Sequence, residues 1–184
     1  MPRRIAIEID GVLAETAPDF PGATENFWES LKEIEPGVVS RLARMVAERR
    51  WEIIFLTNRL PSAGSTIQIQ SQRWLESKGF ALPSVYDAAG SRGSIAVALD
   101  LDLVIDARPE NCVDVVENSD ARTILVWRQA SQSLPVEARR SEIDTVKSAG
   151  ECLDMLTAAP EADSRELGFV ARVKRLLGLE KAKA

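Results

Sequence analysis

Short apolar runs rich in Ile, Val and Leu alternate along this chain with segments whose apolar residues recur at helical spacing. Such runs are typical of strands buried on both faces of a parallel sheet. The strand candidates are Ile5–Ile9, Glu52–Thr57, Leu103–Asp106 and Arg122–Trp127. The alternation predicts βαβ units in a three-layer α/β/α fold with a mainly parallel central sheet.

Helical periodicity occupies the segments between these runs. The predicted helices are Gly37–Arg50, Thr66–Lys78, Ser94–Leu99, Pro109–Asn118, and one or two within Glu137–Leu156. Gly79 is placed to end the second helix, since glycine is common just beyond a helix C-terminus. Pro109 stands in a first helical turn, where proline is tolerated.

The sequence divides into an α/β core over residues 1–157 and a distinct C-terminal stretch over 158–184. Residues 14–36 contain three prolines, which predicts a small lid-like insertion with at most one helix, Glu25–Glu35. In the C-terminal stretch, a polar break at 160–164 precedes an amphipathic basic helix at 165–177. We interpret that helix as a peripheral one with solvated Lys and Arg side chains in preference to a binding element.

Composition excludes several classes of function. A net charge of −5 argues against a general nucleic-acid-binding surface, and no run approaches the roughly 20 apolar residues of a membrane helix. Two cysteines without a paired spacing, and no secretory signal pattern, predict a cytoplasmic protein. The chain has no histidine, so catalytic or metal-binding groups must come mainly from carboxylates, and magnesium is the cation that suits them.

Polar side chains stand at the ends of three predicted strands. Glu8 and Asp10 close the first run and are followed by Gly11, while Thr57 and Asp106 end the second and third runs. Residues i and i+2 of a strand point the same way, so the two acids of the first run can converge. Open α/β sheets bind ligands beyond the carboxyl ends of their strands, which predicts a functional site at this edge.

The residues around these strand ends occur in a recognisable order. Residues 8–13 read Glu-Ile-Asp-Gly-Val-Leu, 57–59 read Thr-Asn-Arg, and 106–111 read Asp-Ala-Arg-Pro-Glu-Asn. Over roughly residues 5–128, the chain resembles the haloacid dehalogenase (HAD) superfamily, and in motif detail its 5′-deoxyribonucleotidase branch. The resemblance implies a Rossmann-like HAD core with a minimal cap.

The resemblance also implies a role for each site residue. It puts the family's nucleophile at Glu8, the acid/base at Asp10, and the phosphate-binding hydroxyl at Thr57, with Arg92 as the catalytic cation. The implied phosphate-binding residues are Thr57, Asn58, Arg59 and Arg92. The implied magnesium ligands are Glu8, Asp10 and Asp106. A surface ion pair is an equally weighted alternative for Arg59.

Three positions depart from the family pattern. Glu8 stands where the family has an aspartate nucleophile, Arg92 where it has a lysine, and Ala107 where it has a second acid. Glutamate extends the carboxylate by about 1.5 Å, and a misplacement of roughly 1 Å can cost about a hundredfold in rate. The missing acid at Ala107 weakens the case for Mg²⁺. We expect a bound metal if the chemistry is retained, and an ion pair between Arg92 and Glu8 if the site is a remnant.

Two functions are therefore predicted, with a purely structural inheritance of the site as a third. The first is a degenerate HAD-fold protein that binds a small phosphorylated molecule or a protein partner with little or no turnover. The alternative is a Mg²⁺-dependent phosphomonoester hydrolase that uses Glu8 as its nucleophile. The open site of a protein with so small a cap also suits a homo-oligomer.

Three aromatic residues and one cysteine are further candidates for the site. Phe27 or Trp28 can stack on a nucleotide base in the nucleotidase branch, but packing of the lid helix is the favoured interpretation. Trp74 is expected to be structural. The chain has no histidine and no lysine near Cys112 in the sequence, and we expect Cys112 to be a small buried hydrophobic side chain.

Overall fold

The computed structural model describes residues 3–15, 27–59, 66–129, 133–141 and 143–158. Within them the strands are β1 (Arg4–Glu8), β2 (Glu52–Thr57), β3 (Ser84–Asp87), β4 (Leu103–Asp106), β5 (Arg122–Val126) and β6 (Asp144–Val146). The helices are α1 (Phe27–Ser30), α2 (Val38–Arg49), α3 (Ile67–Ser77), α4 (Arg92–Ala98), α5 (Pro109–Asn118), α6 (Val136–Arg140) and α7 (Ala149–Ala158). The predicted polar break at 160–164 and basic helix at 165–177 lie outside the described residues.

The six strands form one parallel sheet in the order β3-β2-β1-β4-β5-β6. From β1 the chain proceeds outward to β3, then returns to the other side of β1 and continues outward to β6. The direction of progression therefore reverses between β1 and β4, and ligands of doubly wound folds bind at such a reversal. The prediction of a Rossmann-like α/β fold with a parallel sheet is confirmed.

Alternating side chains of the strands pack on two faces of the sheet. Ile5 and Ile7 belong to a large buried cluster with residues of α2, α3 and α7, whereas Ala6 belongs to a smaller cluster with residues of α4 and α5. Because neighbouring residues of a strand point to opposite faces, each strand buries apolar side chains on both sides. Helices therefore cover both faces of the sheet, as the predicted three-layer fold requires.

Several local predictions are confirmed in α3 and α5. Gly79 has φ +93° and follows the last turn of α3, where the Phe80 N–H donates to the Leu75 carbonyl at 3.0 Å. Trp74 is fully buried and its indole N–H donates to the Leu31 carbonyl at 3.0 Å, which confirms its structural role. Pro109 is the first residue of α5. The helices α3 and α5 thus lie within one residue of their predicted bounds, whereas α4 begins at Arg92, two residues before the predicted Ser94.

Two strands were missed, and both lie at the edges of the sheet. β3 has mostly exposed residues, and β6 spans three residues inside the segment predicted to hold only helices. Neither strand has the apolar run of a central strand. Each is formed by pairing with a neighbour, β2 for one and β5 for the other, and such tertiary pairing overrides local propensity.

The prediction of a helix over Glu25–Glu35 was wrong in extent. The described helix covers Phe27–Ser30, and the following residues pair with the chain just after β1. The Ile34 N–H donates to the Leu13 carbonyl at 2.9 Å, and the Glu15 N–H donates to the Lys32 carbonyl at 3.0 Å. These long-range hydrogen bonds take the backbone groups that a longer helix would use.

None of the helices in the part of the chain that the structure describes is long and apolar enough to cross a membrane.

Candidate functional site

The predicted polar strand ends come together at the carboxyl edge of the sheet. Glu8, Thr57 and Asp106 are the last residues of β1, β2 and β4, and β1 lies between the other two strands. The register pairs Glu8 with Leu56 and Ile7 with Ile105, so the three polar residues lie at nearly the same level along the strand direction. The topology therefore assembles one site from three distant segments.

A tight loop after β1 positions Asp10. Gly11 has φ +83°, a conformation that side-chain-bearing residues rarely adopt, and its N–H donates to the Ala14 carbonyl at 2.9 Å. Arg128, which follows β5, donates hydrogen bonds to the carbonyls of Gly11 and Val12. The sequence analysis missed this role of Arg128, for which its place just beyond a strand end was the available signal.

Arg92 lies at the centre of the site. It is the first residue of α4, whose N-terminus is capped by the Ser91 hydroxyl, and its guanidinium is directed at two carboxyl groups. One terminal nitrogen donates to Glu8 Oε2 at 2.6 Å, Nε donates to Asp106 Oδ2 at 3.4 Å, and the other terminal nitrogen donates to the Ala88 carbonyl. The side chains of Arg92 and Glu8 are only 3% and 5% exposed. The cation predicted for this site is thus a buried internal partner of Glu8.

The Asp106 carboxylate accepts several hydrogen bonds within the site. The fully buried carboxylate accepts from the Arg108 backbone N–H at 2.8 Å and from Asn111 Nδ2 at 2.9 Å, in addition to Arg92. The sequence motif contains Asn111, but its hydrogen bond to Asp106 was not predicted. Its spacing of five residues from a strand-end acid was the available signal.

Burial raises the pKa of both acids that face Arg92. For Glu8, burial and the nearby Asp106 charge raise the pKa to about 8, against the opposing effect of Arg92. For Asp106, burial also raises the pKa, opposed chiefly by the Arg108 N–H and the Arg92 charge. One guanidinium balances one of the two carboxylates, so the trio retains a proton near neutral pH.

A second ion pair lies beside the first. Arg59 Nε donates to the two carboxylate oxygens of Asp10 at 2.7 and 2.9 Å, and the Thr57 hydroxyl donates to Asp10 Oδ2 at 3.4 Å. The Arg59 and Asp10 side chains are 9% and 10% exposed, and Thr57 is fully buried. Of the two interpretations of Arg59, the structure shows an ion pair, although it is buried where the sequence suggested a surface one.

The other predicted residues fall outside this network. Asn58 is exposed, and Ala107 is half-buried against the large apolar cluster. Trp28 packs against the same cluster, whereas the Phe27 side chain lies outside the described residues. Cys112 is fully buried, and burial raises the pKa of its thiol to about 12, as expected for a hydrophobic role.

The arrangement does not fit a bound magnesium ion. Mg²⁺ requires near-octahedral oxygen ligands at about 2.0–2.1 Å. The carboxyl groups of Glu8 and Asp106 are already directed at Arg92, and that of Asp10 at Arg59. Within the described residues, no group of three or more Asp, Glu, Cys or His side chains is arranged to hold a metal ion.

No protein-family model matches the chain, and no curated protein matches it.

Proposed function

We propose that this chain is a HAD-like protein without efficient phosphomonoester turnover, which acts by binding a partner. The observation that supports the proposal is the buried hydrogen bond from the Arg92 guanidinium to the Glu8 carboxyl group, at 2.6 Å. It occupies the carboxyl oxygen that a nucleophilic mechanism would direct at a phosphorus atom.

The protonation of Glu8 supports the same conclusion. With a pKa raised to about 8 by burial and by Asp106, Glu8 is largely protonated at neutral pH. A protonated carboxyl group is not a nucleophile, since attack requires the carboxylate. The longer side chain of Glu8 adds a positional penalty, because its carboxyl group is held by Arg92 and not directed outward.

The charge balance favours a protein partner over a small phosphorylated molecule. Both buried guanidinium groups of the site, those of Arg59 and Arg92, already face carboxyl groups. Removing the counter-ion of a buried pair costs about 3–5 kcal/mol. A ligand with millimolar affinity gains only about 4 kcal/mol on binding, so a phosphate gains little by displacing these pairs.

The alternative is a phosphomonoester hydrolase that uses Glu8 as nucleophile and Asp10 as acid/base. One observation favours it, namely that Glu8, Asp10 and Thr57 meet at a single edge of the sheet. This function requires Arg92 to leave Glu8 and Glu8 to lose its proton before attack. Its rate is therefore expected to rise with pH as the Glu8 carboxylate forms.

Turnover distinguishes the two functions. Purified protein is incubated with p-nitrophenyl phosphate and with a panel of nucleoside monophosphates, each with Mg²⁺. We expect no more phosphate release than from Glu8→Gln. The matched control is Glu52→Gln, at the opposite edge of the sheet. Turnover that disappears in Glu8→Gln and persists in Glu52→Gln would overturn the proposal.

A gain-of-function variant tests the cause of the inactivity. Combining Glu8→Asp, Arg92→Lys and Ala107→Asp shortens the acid, removes the guanidinium fork and adds a carboxylate. We expect measurable Mg²⁺-dependent hydrolysis from this variant if these three positions are responsible. Thermal unfolding with inorganic phosphate tests the ligand class, and a shift that depends on both Arg59 and Arg92 would favour a phosphorylated ligand over a protein partner.

A further inference from the structure

The environment of the Arg92 guanidinium is that of a cation site. Three oxygen atoms surround it, from the Glu8 carboxyl group, the Asp106 carboxylate and the Ala88 carbonyl. Two of these groups can be anionic, and both acids are at least nine-tenths buried. Oxygen donors with negative charge and little solvent are what a protein uses to hold a hard cation.

We infer that the guanidinium of Arg92 is the resident cation of this site, so that the folded chain needs no metal there and an emptied site accepts an external cation. This goes beyond the proposed function, with which it shares Arg92, because cation occupancy is independent of turnover. Because the guanidinium is covalently attached to the chain, no free ion has to lose its mobility to occupy the site. It also makes the balance of charge independent of the metal concentration around the protein.

The backbone around Arg92 holds the guanidinium in place. Asp114 of α5 accepts hydrogen bonds from the Ser91 hydroxyl at 2.8 Å and from the Gly93 N–H at 2.9 Å, on either side of Arg92. A Cβ atom at Gly93 would lie 2.5 Å from the Asp114 carbonyl oxygen, so α4 and α5 approach closely at this point. The start of α4 is thus fixed against α5, and the Arg92 side chain extends from it toward the strand ends.

The test is thermal unfolding of Arg92→Ala with 10 mM guanidinium chloride, MgCl₂ or MnCl₂, on a sodium chloride background of equal ionic strength. We expect Arg92→Ala to unfold at a lower temperature than the wild type, and at least one of these cations to raise its midpoint by about 3 °C or more. The double variant Glu8→Gln with Arg92→Ala has lost one of the two acids, and its response is expected to be smaller. In the wild type, Mg²⁺ and Mn²⁺ are expected to shift the midpoint no more than in Glu8→Gln.

Two results would overturn the inference. One is a folded Arg92→Ala that no cation stabilises. The other is a wild-type protein whose stabilisation by Mg²⁺ or Mn²⁺ is lost in Glu8→Gln. If Arg92→Ala does not fold, Arg92→Lys decides, because lysine keeps the charge and lacks the fork. We then expect Arg92→Lys to fold, and its failure would show that positive charge is not what the site requires.

The outcome is separable from that of the proposed function. Cation rescue of Arg92→Ala is measured on unfolding alone, whereas the proposed function fails only if the wild type hydrolyses a phosphomonoester. A wild-type enzyme with a rescued Arg92→Ala would refute the first proposal and retain the second.

Discussion

The two edges of the sheet carry the same kinds of charged residue in opposite environments. At the amino edge, Arg4 pairs with Glu52 at 2.8 Å, and the two side chains are 35% and 48% exposed. Arg122 pairs there with Asp144 at 2.8 Å, with side chains 41% and 48% exposed. At the carboxyl edge, the pairs centred on Arg92 and Arg59 are nearly closed to solvent.

The ion pairs at the two edges differ in the desolvation that they cost the folded protein. Exposed pairs at the amino edge link the first residues of neighbouring strands, and each contributes little because water screens both partners. At the carboxyl edge the same chemistry requires desolvation, which is offset only if the charges match one another. Charges are seldom buried without a specific reason, and the carboxyl edge is therefore where we propose the functional site.

Removing one arginine from each edge should break the comparison most visibly. Arg92→Met leaves two buried acids without their guanidinium, and we expect it to lower the free energy of unfolding by about 3–5 kcal/mol at neutral pH. Arg122→Met, the matched control at the amino edge, should cost about 0–1 kcal/mol. Urea unfolding measures both, and equal losses would show that burial does not distinguish the edges.

The buried Asp10–Arg59 pair should give an intermediate result. Asp10→Asn removes the charge that faces Arg59 and leaves one oxygen acceptor, so we expect a loss of about 1.5–3 kcal/mol. The control is Asp144→Asn, whose partner Arg122 is exposed. A loss from Asp10→Asn no larger than that from Asp144→Asn would contradict the interpretation of this pair as buried.

The pH dependence of stability sharpens the contrast at Glu8. Its pKa is about 8 in the folded chain against an ordinary value of 4.5, so between these values the folded state holds a proton that the unfolded state lacks. The stabilisation is full below pH 4.5 and is lost as the pH rises through 8, at no more than about 1.4 kcal/mol per pH unit. Glu8→Gln should remove this part of the slope, whereas Glu52→Gln should retain it. Parallel wild-type and Glu8→Gln curves would show that Glu8 is ionised in the folded protein.

Salt should produce the smallest difference between the edges. Raising NaCl from 0.1 to 1 M shortens the screening length from about 10 to about 3 Å, which weakens exposed pairs far more than buried ones. The stability difference between the wild type and Arg122→Met should therefore approach zero. The difference for Arg92→Met should stay unchanged, and a comparable decrease would indicate that solvent reaches Arg92.

The sequence predicted the central part of the fold better than its margins. The strands β1, β2, β4 and β5 were recognisable because burial on both faces demands continuous apolar runs. The edge strands β3 and β6 have no such demand, since among the described residues one side of each has no neighbouring strand in the sheet. The segment after Ser30 was wrongly predicted to be helical. Its backbone hydrogen bonds are made with residues near Leu13, which are distant in sequence and are not revealed by a local pattern.

The members of the site were predictable, and so was the contact between Arg92 and Glu8, which was one of the two expected outcomes. Strand-end positions identified Glu8, Asp10, Thr57 and Asp106, and the segment order identified Arg92. The contacts of Arg92 with Asp106 and of Arg59 with Asp10 were not predicted, because they depend on tertiary distances that no local pattern encodes. The supporting hydrogen bonds of Asn111 and Arg128 were missed for the same reason, since they depend on tertiary distances.

A double-mutant cycle between Glu8 and Arg92 tests the central claim most directly. The unfolding free energies of the wild type, Glu8→Gln, Arg92→Met and the double variant are compared at pH 8.5, above the Glu8 pKa of about 8. We predict a coupling energy of about 2–3 kcal/mol, against less than about 1 kcal/mol for the parallel cycle of Arg122→Met and Asp144→Asn. Equal, small couplings at the two edges would contradict a buried Arg92–Glu8 pair and the account built on it.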